Sequence, residues 1–226
     1  MPEEKLIHVP NAPSFGASDE LVETTLAERA ERPAGQPLRV MFIGRFDPEK
    51  GMDRLVALVA EAQARGLPFD WRVVGRRVLG EGHRKVDLGP IEPFLRPPAL
   101  STAALSRVYR WADVVLMLSR FEGVPLTILE AQRFGCVVLS TAVGAIDELI
   151  EPGRTGFLFR NDQPEEELVD QILGCLGELH ERRERLLEVS RAGAAVRRSA
   201  TWARSFATLA RAVNAMRGHK GGGGHA

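Results

Sequence analysis

The pattern that most constrains this chain is an alternation of short, β-branched apolar runs with longer segments of helical period. A strand that is apolar at every position has both faces buried, which is typical of a parallel sheet covered by helices on each side. The sequence therefore predicts an α/β fold, a Rossmann-like doubly wound parallel sheet from about residue 36 to 159. Predicted strands cover residues 38–43, 69–74, 86–88, 114–118 and 136–140, and predicted helices cover residues 52–65, 101–111 and 125–134.

The segments outside the sheet are predicted from their local composition. Residues 1–36 are a lead-in with a helix-prone stretch over residues 17–30, and the domain itself covers residues 37–217. Its C-terminal part, residues 165–217, is rich in Leu, Ala, Glu and Arg and predicts two long helices with a break near Gly193. Residues 89–98 are proline-rich and have no helical period, and the glycine-rich residues 218–226 predict a flexible tail.

The composition bears on whether the chain binds nucleic acid, a membrane or a metal. The chain has 30 basic and 30 acidic residues, so its bulk charge does not favour nucleic acid or an acidic membrane surface. Cys136 and Cys175 lack metal-type spacing, which predicts reduced packing residues and no structural metal. No apolar stretch approaches the roughly 20 residues that span a bilayer, so a soluble, cytoplasmic protein without a transmembrane segment is expected.

Two basic side chains follow the first predicted strand, in residues 44–51 (GRFDPEKG). Ligands of doubly wound sheets bind at the carboxyl ends of the strands, where this loop lies. The loop is not a Walker A motif, and no GxGxxG fingerprint follows any strand. Arg45 and Lys50 suit a diphosphate, because Arg donates paired hydrogen bonds and Lys is a compact charge. The alternative is a pair of surface cations, one of them bridging Asp47 or Glu49.

Two glutamates flank the start of a predicted helix in residues 120–135 (RFEGVPLTILEAQRFG), with seven residues between them. An ionised carboxylate accepts hydrogen bonds, so Glu122 and Glu130 each match the two donors of a sugar diol. With a phosphate at the free amides of the helix start, this pattern indicates a nucleotide sugar. In the alternatives, Glu122 caps the helix, and Glu130 pairs on its surface with Arg133.

These motifs together resemble the C-terminal, donor-binding domain of a GT-B fold glycosyltransferase of family 4, also called group 1. Residues 44–51 resemble that family's Gly-Arg-x-Lys-Gly loop, and residues 120–135 resemble its E-x7-E motif. The strand and turn over residues 136–144 are similar to its PVV-(S/T)-T-x-x-G segment. Residues 6–15 (LIHVPNAPSF) resemble its interdomain linker, so residues 1–36 are expected to be that linker and a lead-in helix. The similarity spans about three quarters of the chain.

The resemblance implies a role for each matching residue. Arg45, Lys50 and Glu122 would be catalytic: the two cations hold the donor diphosphate, and Glu122 approaches the transferred sugar. Glu130 would bind the ribose hydroxyls, and Gly44 would let the backbone approach the donor. The reaction would retain anomeric configuration and need neither metal nor cofactor, with a nucleoside diphosphate sugar as donor substrate. The backbone facing the sugar and phosphates would be that of Gly123, Val124, Pro125 and Leu126.

Several departures from the family pattern limit what the resemblance implies. The chain has no room for the N-terminal acceptor domain, so it is expected to be a truncated piece or half of a split enzyme that binds donor and transfers little alone. The acceptor, a glycan or lipid, would bind through that missing domain, and the complete enzyme could be peripheral at the inner membrane. Val124 and Pro125 replace the Phe-Gly of many members, which removes one amide donor, and Asn11-Ala12 replaces Asn-Gly.

Some alternatives stay open on the sequence alone. Gly144 and Glu148 either contact the ligand or shape the turn and start the next helix. Residues 75–89 are expected beside the nucleotide base but do not identify it. A non-catalytic nucleotide-binding or interaction module and a GT-B sugar-nucleotide epimerase are the rival functions; loss of nucleotide binding in Lys50→Ala and Glu130→Ala would favour the donor site over the module.

Overall fold

Six parallel strands form one sheet at the centre of the molecule. The computed structural model describes residues 9–15, 17–33, 35–76 and 87–220. The strands are β1 (Leu38–Arg45), β2 (Phe69–Arg76), β3 (Leu95–Arg96), β4 (Val114–Met117), β5 (Val137–Thr141) and β6 (Phe157–Phe159). Their order is β3-β2-β1-β4-β5-β6, and every neighbouring pair is parallel.

Seven α-helices accompany the sheet in the described residues. They are α1 (Asp19–Ala30), α2 (Met52–Ala64), α3 (Thr102–Trp111), α4 (Leu126–Arg133), α5 (Glu165–Glu181), α6 (Arg183–Arg197) and α7 (Trp202–Lys220). The chain order reverses between β1 and β4, which creates a crevice at the carboxyl ends of these two strands. This crevice is where a doubly wound sheet binds its ligand.

Side chains of each central strand alternate between two apolar layers. In β1, Val40 and Phe42 join the layer with α2 and α5, while Met41 joins the layer with α1, α3 and α4. In β4, Leu116 and Val115 divide in the same way. Because both faces are buried, β4 is apolar at every position and β5 begins with three apolar residues, as the sequence pattern predicts. The predicted fold class is confirmed.

The C-terminal helices differ from the prediction. The region contains three helices rather than two, and the break predicted near Gly193 is wrong, because Gly193 lies inside α6. A β-carbon there would lie 3.4 Å from the Thr155 carbonyl oxygen and 3.5 Å from Gln132, so the small residue serves close packing against the domain. Helix α7 runs to Lys220, three residues beyond the predicted end of the helical region, and residues 221–226 lie outside the described ones.

The proline-rich segment also holds more structure than the prediction gave it. Residues Gly89–Phe94 form a 3-10 helix, and the edge strand β3 follows it. The strand predicted over residues 86–88 is wrong for Asp87 and Leu88, which are not in a strand, whereas Val86 lies outside the described residues. None of the described helices is long and apolar enough to cross a bilayer.

Candidate functional site

Arg45 and Lys50 lie in the loop at the carboxyl end of β1, and the Arg45 guanidinium and the Lys50 backbone amide both contact Asp47. Asp47 is buried, and its Oδ2 lies 3.2 Å from Arg45 Nε, while its Oδ1 accepts a 2.9 Å hydrogen bond from the Lys50 amide. Arg45 Nη2 also donates to Glu49 at 3.3 Å. The bridging contacts that the sequence left as an alternative for Arg45 are therefore present. The guanidinium is still 46% exposed, so solvent reaches it and the pairing is weak.

Lys50 extends from this loop to the first of the two glutamates. Its Nζ lies 2.6 Å from Glu122 Oε1, which also accepts a 2.7 Å hydrogen bond from Ser119 Oγ. Glu122 is 8% exposed. It does not cap α4, because the N-cap position is Pro125 and no side chain caps it. Ser119 is the second residue after β4, and the sequence pattern gave no signal for this uncharged hydroxyl.

Two glycines fix the backbone around Glu122. Gly51 (φ 73°) and Gly144 (φ 60°) both have the left-handed conformation that favours glycine. A β-carbon on Gly51 would lie 2.0 Å from the Leu118 carbonyl oxygen, and one on Gly144 would lie 2.0 Å from that of Glu122. The Ala145 amide also donates to the Gly123 carbonyl oxygen at 3.3 Å. Gly144 thus holds the Glu122 loop from behind, which favours the turn-shaping alternative of the sequence analysis.

An ion network holds the same loop from its other side. Arg120 donates two hydrogen bonds to Asp53 of α2, at 2.7 and 2.9 Å, and one to Glu165 of α5, at 2.9 Å. Arg54 donates to Glu165 at 2.9 Å and to the Leu118 carbonyl oxygen at 3.2 Å. The segment after β4 is therefore tied to two helices on one face of the sheet. Sequence spacing gave no signal for Arg54 or Arg120.

The second glutamate is buried and has three protein donors. Glu130 is 7% exposed, and its Oε2 accepts a 2.9 Å hydrogen bond from the Tyr109 hydroxyl. Its Oε1 accepts hydrogen bonds from both Ser14 Oγ and the Ser14 amide, the latter at 3.3 Å. The alternative in which Glu130 pairs with Arg133 is wrong, because Arg133 donates to Asp19 at 2.6 Å.

Tyr109 is a donor that the sequence analysis missed, although it is the one tyrosine of the chain. It is 1% exposed, and its ring stacks on Phe134 with centroids 5.7 Å apart. Burial, followed by the negative charge of Glu130, raises the pKa of the Tyr109 phenol well above 10.0. The hydroxyl therefore keeps its proton at physiological pH and donates a hydrogen bond to Glu130.

A cavity of about 310 Å³ opens where these elements meet. Arg45 and Glu130 both line it, together with Gly44, Tyr109 and Thr127. Among the described residues, a β-carbon built on Gly44 would have only Phe42 ring atoms within 4 Å, at 3.6 Å. Lys50 and Glu122 are not among the lining residues. The structure thus brings one predicted phosphate cation and the predicted ribose carboxylate to a single cleft, and pairs the other two predicted catalytic residues with each other.

The remaining predicted positions lie at the start of α4. A β-carbon on Gly123 would meet no atom of the described residues within 4 Å, and Val124 is 40% exposed. Pro125 and Leu126 form the N-cap and the first residue of α4. Of the predicted base-binding loop over residues 75–89, residues 77–86 lie outside the described ones. Within the described chain, no group of three His, Cys, Asp or Glu residues is placed to hold a metal ion.

Known proteins are similar to the part of the chain that contains the four charged residues Arg45, Lys50, Glu122 and Glu130. A family model described as "Glycosyl transferases group 1" matches residues 37–178. A glycogen synthase of Thermus thermophilus is 34% identical over 146 residues, which are 60% of this chain and 31% of the relative. The chain therefore spans about a third of the length of the curated relatives that it matches.

Solved structures are similar in fold. The pneumococcal O-GlcNAc transferase GtfA, in complex with UDP and GlcNAc, superposes with a TM-score of 0.68 at 20% identity, over 92% of this chain and 39% of that one. The C-terminal domain of the group 1 glycosyl transferase LpcC from Francisella tularensis superposes with a TM-score of 0.57 at 16% identity. That match covers 82% of this chain and 92% of the Francisella domain.

Proposed function

Because the chain belongs to the family of group 1 glycosyl transferases, we propose that it is the donor-binding domain of a retaining, metal-independent glycosyltransferase. The donor is a nucleoside diphosphate sugar, and the acceptor is a glycan or lipid that binds to a separate N-terminal domain. This chain alone binds the donor and transfers little or no sugar. The enzyme needs no cofactor and acts in the cytoplasm.

This proposal depends mainly on one observation: Arg45 and Glu130 both line the same cleft at the carboxyl end of β1. A nucleoside diphosphate presents two diol hydroxyls on one side and phosphate oxygens on the other. Glu130 matches the diol because a carboxylate only accepts hydrogen bonds, and Arg45 matches the phosphate because a guanidinium only donates them. The cleft volume of about 310 Å³ lies within the usual range for small-molecule sites.

Lys50 and Glu122 have the next role in the proposed reaction. When the donor binds, Lys50 moves from Glu122 to the phosphate oxygens, and it is in place there as the bond to the diphosphate breaks and negative charge grows on them. Such a fixed cation stabilises the leaving group more strongly in a partly dry site than in water. Glu122 then accepts hydrogen bonds from the transferred sugar, and the amides of Gly123 and Leu126 hold its oxygens and the phosphates.

Calorimetric titration of the chain with UDP, GDP and ADP tests this assignment. UDP comes first, because the pneumococcal neighbour is in complex with it. Arg45→Ala is expected to weaken binding of the diphosphate by roughly tenfold or more, the cost of a charged hydrogen bond. Binding of the free nucleoside should not change, because it has no phosphate. Glu130→Gln should weaken the binding of both the nucleoside diphosphate and the free nucleoside, because both contain the ribose.

Arg160→Ala is the matched control. Arg160 is 76% exposed and pairs with Asp162 two residues later at 3.1 Å, as Arg45 pairs with Asp47. Its loss should leave every affinity unchanged. A nucleotide affinity that survives both Arg45→Ala and Glu130→Gln would refute the donor site and favour a non-catalytic interaction module. Robust transfer of sugar by this chain alone would refute the need for a separate acceptor domain.

A further inference from the structure

Glu130 already accepts nearly as many hydrogen bonds as a carboxylate can. An ionised carboxylate has about four lone-pair positions on its two oxygens. The Ser14 hydroxyl and the Ser14 amide both donate to Oε1, and the Tyr109 hydroxyl donates to Oε2. About one position is left for a further donor.

A ribose diol brings two donors to this carboxylate. Both hydroxyls can bind Glu130 only if one protein donor leaves. The two candidates differ in what leaving would cost. Tyr109 is 1% exposed, lies in α3 and stacks on Phe134, so its hydroxyl can move away only with a buried ring. Ser14 is exposed and lies in residues 9–15, which form neither helix nor strand.

We propose that the ribose displaces Ser14 from Glu130, so that the segment of residues 9–15 competes with the nucleotide for one carboxylate. This inference rests on the proposed function, since it assigns the fate of Ser14 when the ribose binds. Tyr109 remains in place as a positioning residue: it donates to Oε2 and orients Oε1 toward the diol. Nucleotide binding therefore releases Ser14 from Glu130.

The segment is also connected to the other end of the chain. Ser205 of α7 donates a 2.7 Å hydrogen bond to the Pro10 carbonyl oxygen. Phe15 packs beside Tyr109 and Phe134, with ring centroids 6.2 and 5.7 Å apart. These contacts keep the segment near the site when Ser14 leaves. The release is therefore a local shift between two neighbouring anchors, Pro10 and Phe15.

The sign of one affinity change tests the competition. Ser14→Ala removes the competing hydroxyl but keeps the amide, so binding of UDP should tighten by about fivefold, equivalent to about 1 kcal/mol. The 2′,3′-dideoxy analogue of UDP has no diol and should bind Ser14→Ala and the wild type equally. Tyr109→Phe should weaken the binding of UDP by about tenfold and the binding of the dideoxy analogue by less, because Glu130 loses the donor that orients it.

Ser190→Ala is the control, because Ser190 is buried and donates to the Gly135 carbonyl oxygen, outside the cleft. It should leave both affinities unchanged. Hydrogen exchange adds a second readout: UDP should speed exchange of the Ser14 amide, which donates to Glu130 in the free chain, and the dideoxy analogue should not.

The outcomes separate this inference from the proposed function. If the wild type binds none of UDP, GDP and ADP, the proposed function fails and this inference fails with it. If a nucleotide binds and Ser14→Ala weakens it or leaves it unchanged, only the competition is refuted, and Ser14 is instead a partner that helps to hold the ribose carboxylate. If GDP or ADP binds in place of UDP, the same variants are tested with that nucleotide and its dideoxy analogue.

Discussion

Replacing Gly144 with alanine tests whether that glycine holds the loop of Glu122. The new β-carbon would lie 2.0 Å from the Glu122 carbonyl oxygen and 3.2 Å from that of Gly123. Ordinary contact between such atoms begins near about 3.5 Å, so the loop must move by more than about 1 Å. The backbone of Gly144 also has φ 60°, a conformation that alanine adopts only with strain.

The expected cost has two parts. Left-handed backbone at a non-glycine residue costs about 1–2 kcal/mol. Overpacking against a fixed backbone costs typically about 1–3 kcal/mol more. Gly144→Ala should therefore lower the free energy of unfolding by about 2–5 kcal/mol. Affinity for the nucleotide sugar should also fall relative to the nucleotide alone, because the displaced Glu122 is the proposed contact to the sugar.

Gly66→Ala isolates the conformational part of this cost. Gly66 has φ 64°, close to that of Gly144, but in the part of the chain that the structure describes a β-carbon there would meet no atom within 4 Å. It should cost only about 1–2 kcal/mol and leave ligand affinities unchanged. Urea denaturation of both variants gives the two values under the same conditions. Equal costs for the two substitutions would refute the clash and with it the role of Gly144 behind Glu122.

Three further predictions concern stability and thiol reactivity. Arg29→Met should destabilise the fold by about 3–5 kcal/mol in urea denaturation, because this buried guanidinium donates to carbonyl oxygens at the ends of α3 and α4 and lies near Asp113; a loss below about 1 kcal/mol would contradict it. Gly174→Ala, inside α5 with no atom within 4 Å of its β-carbon, should stabilise by about 0.5–1 kcal/mol in the same assay, and a loss of stability would contradict the open surface there. Burial raises the pKa of Cys136 to about 11 and of Cys175 to about 12, so neither thiol should react with iodoacetamide at pH 8 until urea unfolds the chain. The same shifts favour the folded state below the unfolded thiol pKa, and that contribution should disappear as pH rises through 11 and 12.

The sheet could be predicted from the sequence because burial on both faces leaves a continuous apolar run. Four of the six strands follow from such runs, and the predicted bounds differ from the observed ones by two residues or fewer. The edge strand β3 was not predicted, since Leu95 and Arg96 lie between prolines and only two residues pair with β2. The short β6 was not predicted either.

The alternatives for the charged residues could not be decided from spacing. Whether Glu130 pairs with Arg133 or faces a cleft depends on α1 and on residues 9–15. Arg133 donates to Asp19 of α1, and Ser14 donates to Glu130. For Glu122 the sequence left a helix cap or a contact to the donor sugar; the structure excludes the cap, because Pro125 is the N-cap of α4, and the long-range packing of the two loops places Glu122 against Lys50. Each outcome depends on partners more than 70 residues away in the chain.

The sequence by itself thus determined the fold class, and it predicted the edge of the sheet and the charged groups that form the candidate site. These follow from local periodicity and from the fixed direction of parallel strands. Only the tertiary structure decided which oxygen of each glutamate meets which donor. It also showed that Tyr109 and Ser14 share Glu130, and that Gly144 supports Glu122. The physical reason is that such contacts are set by packing between elements far apart in the chain, which leaves no periodic signal in the sequence.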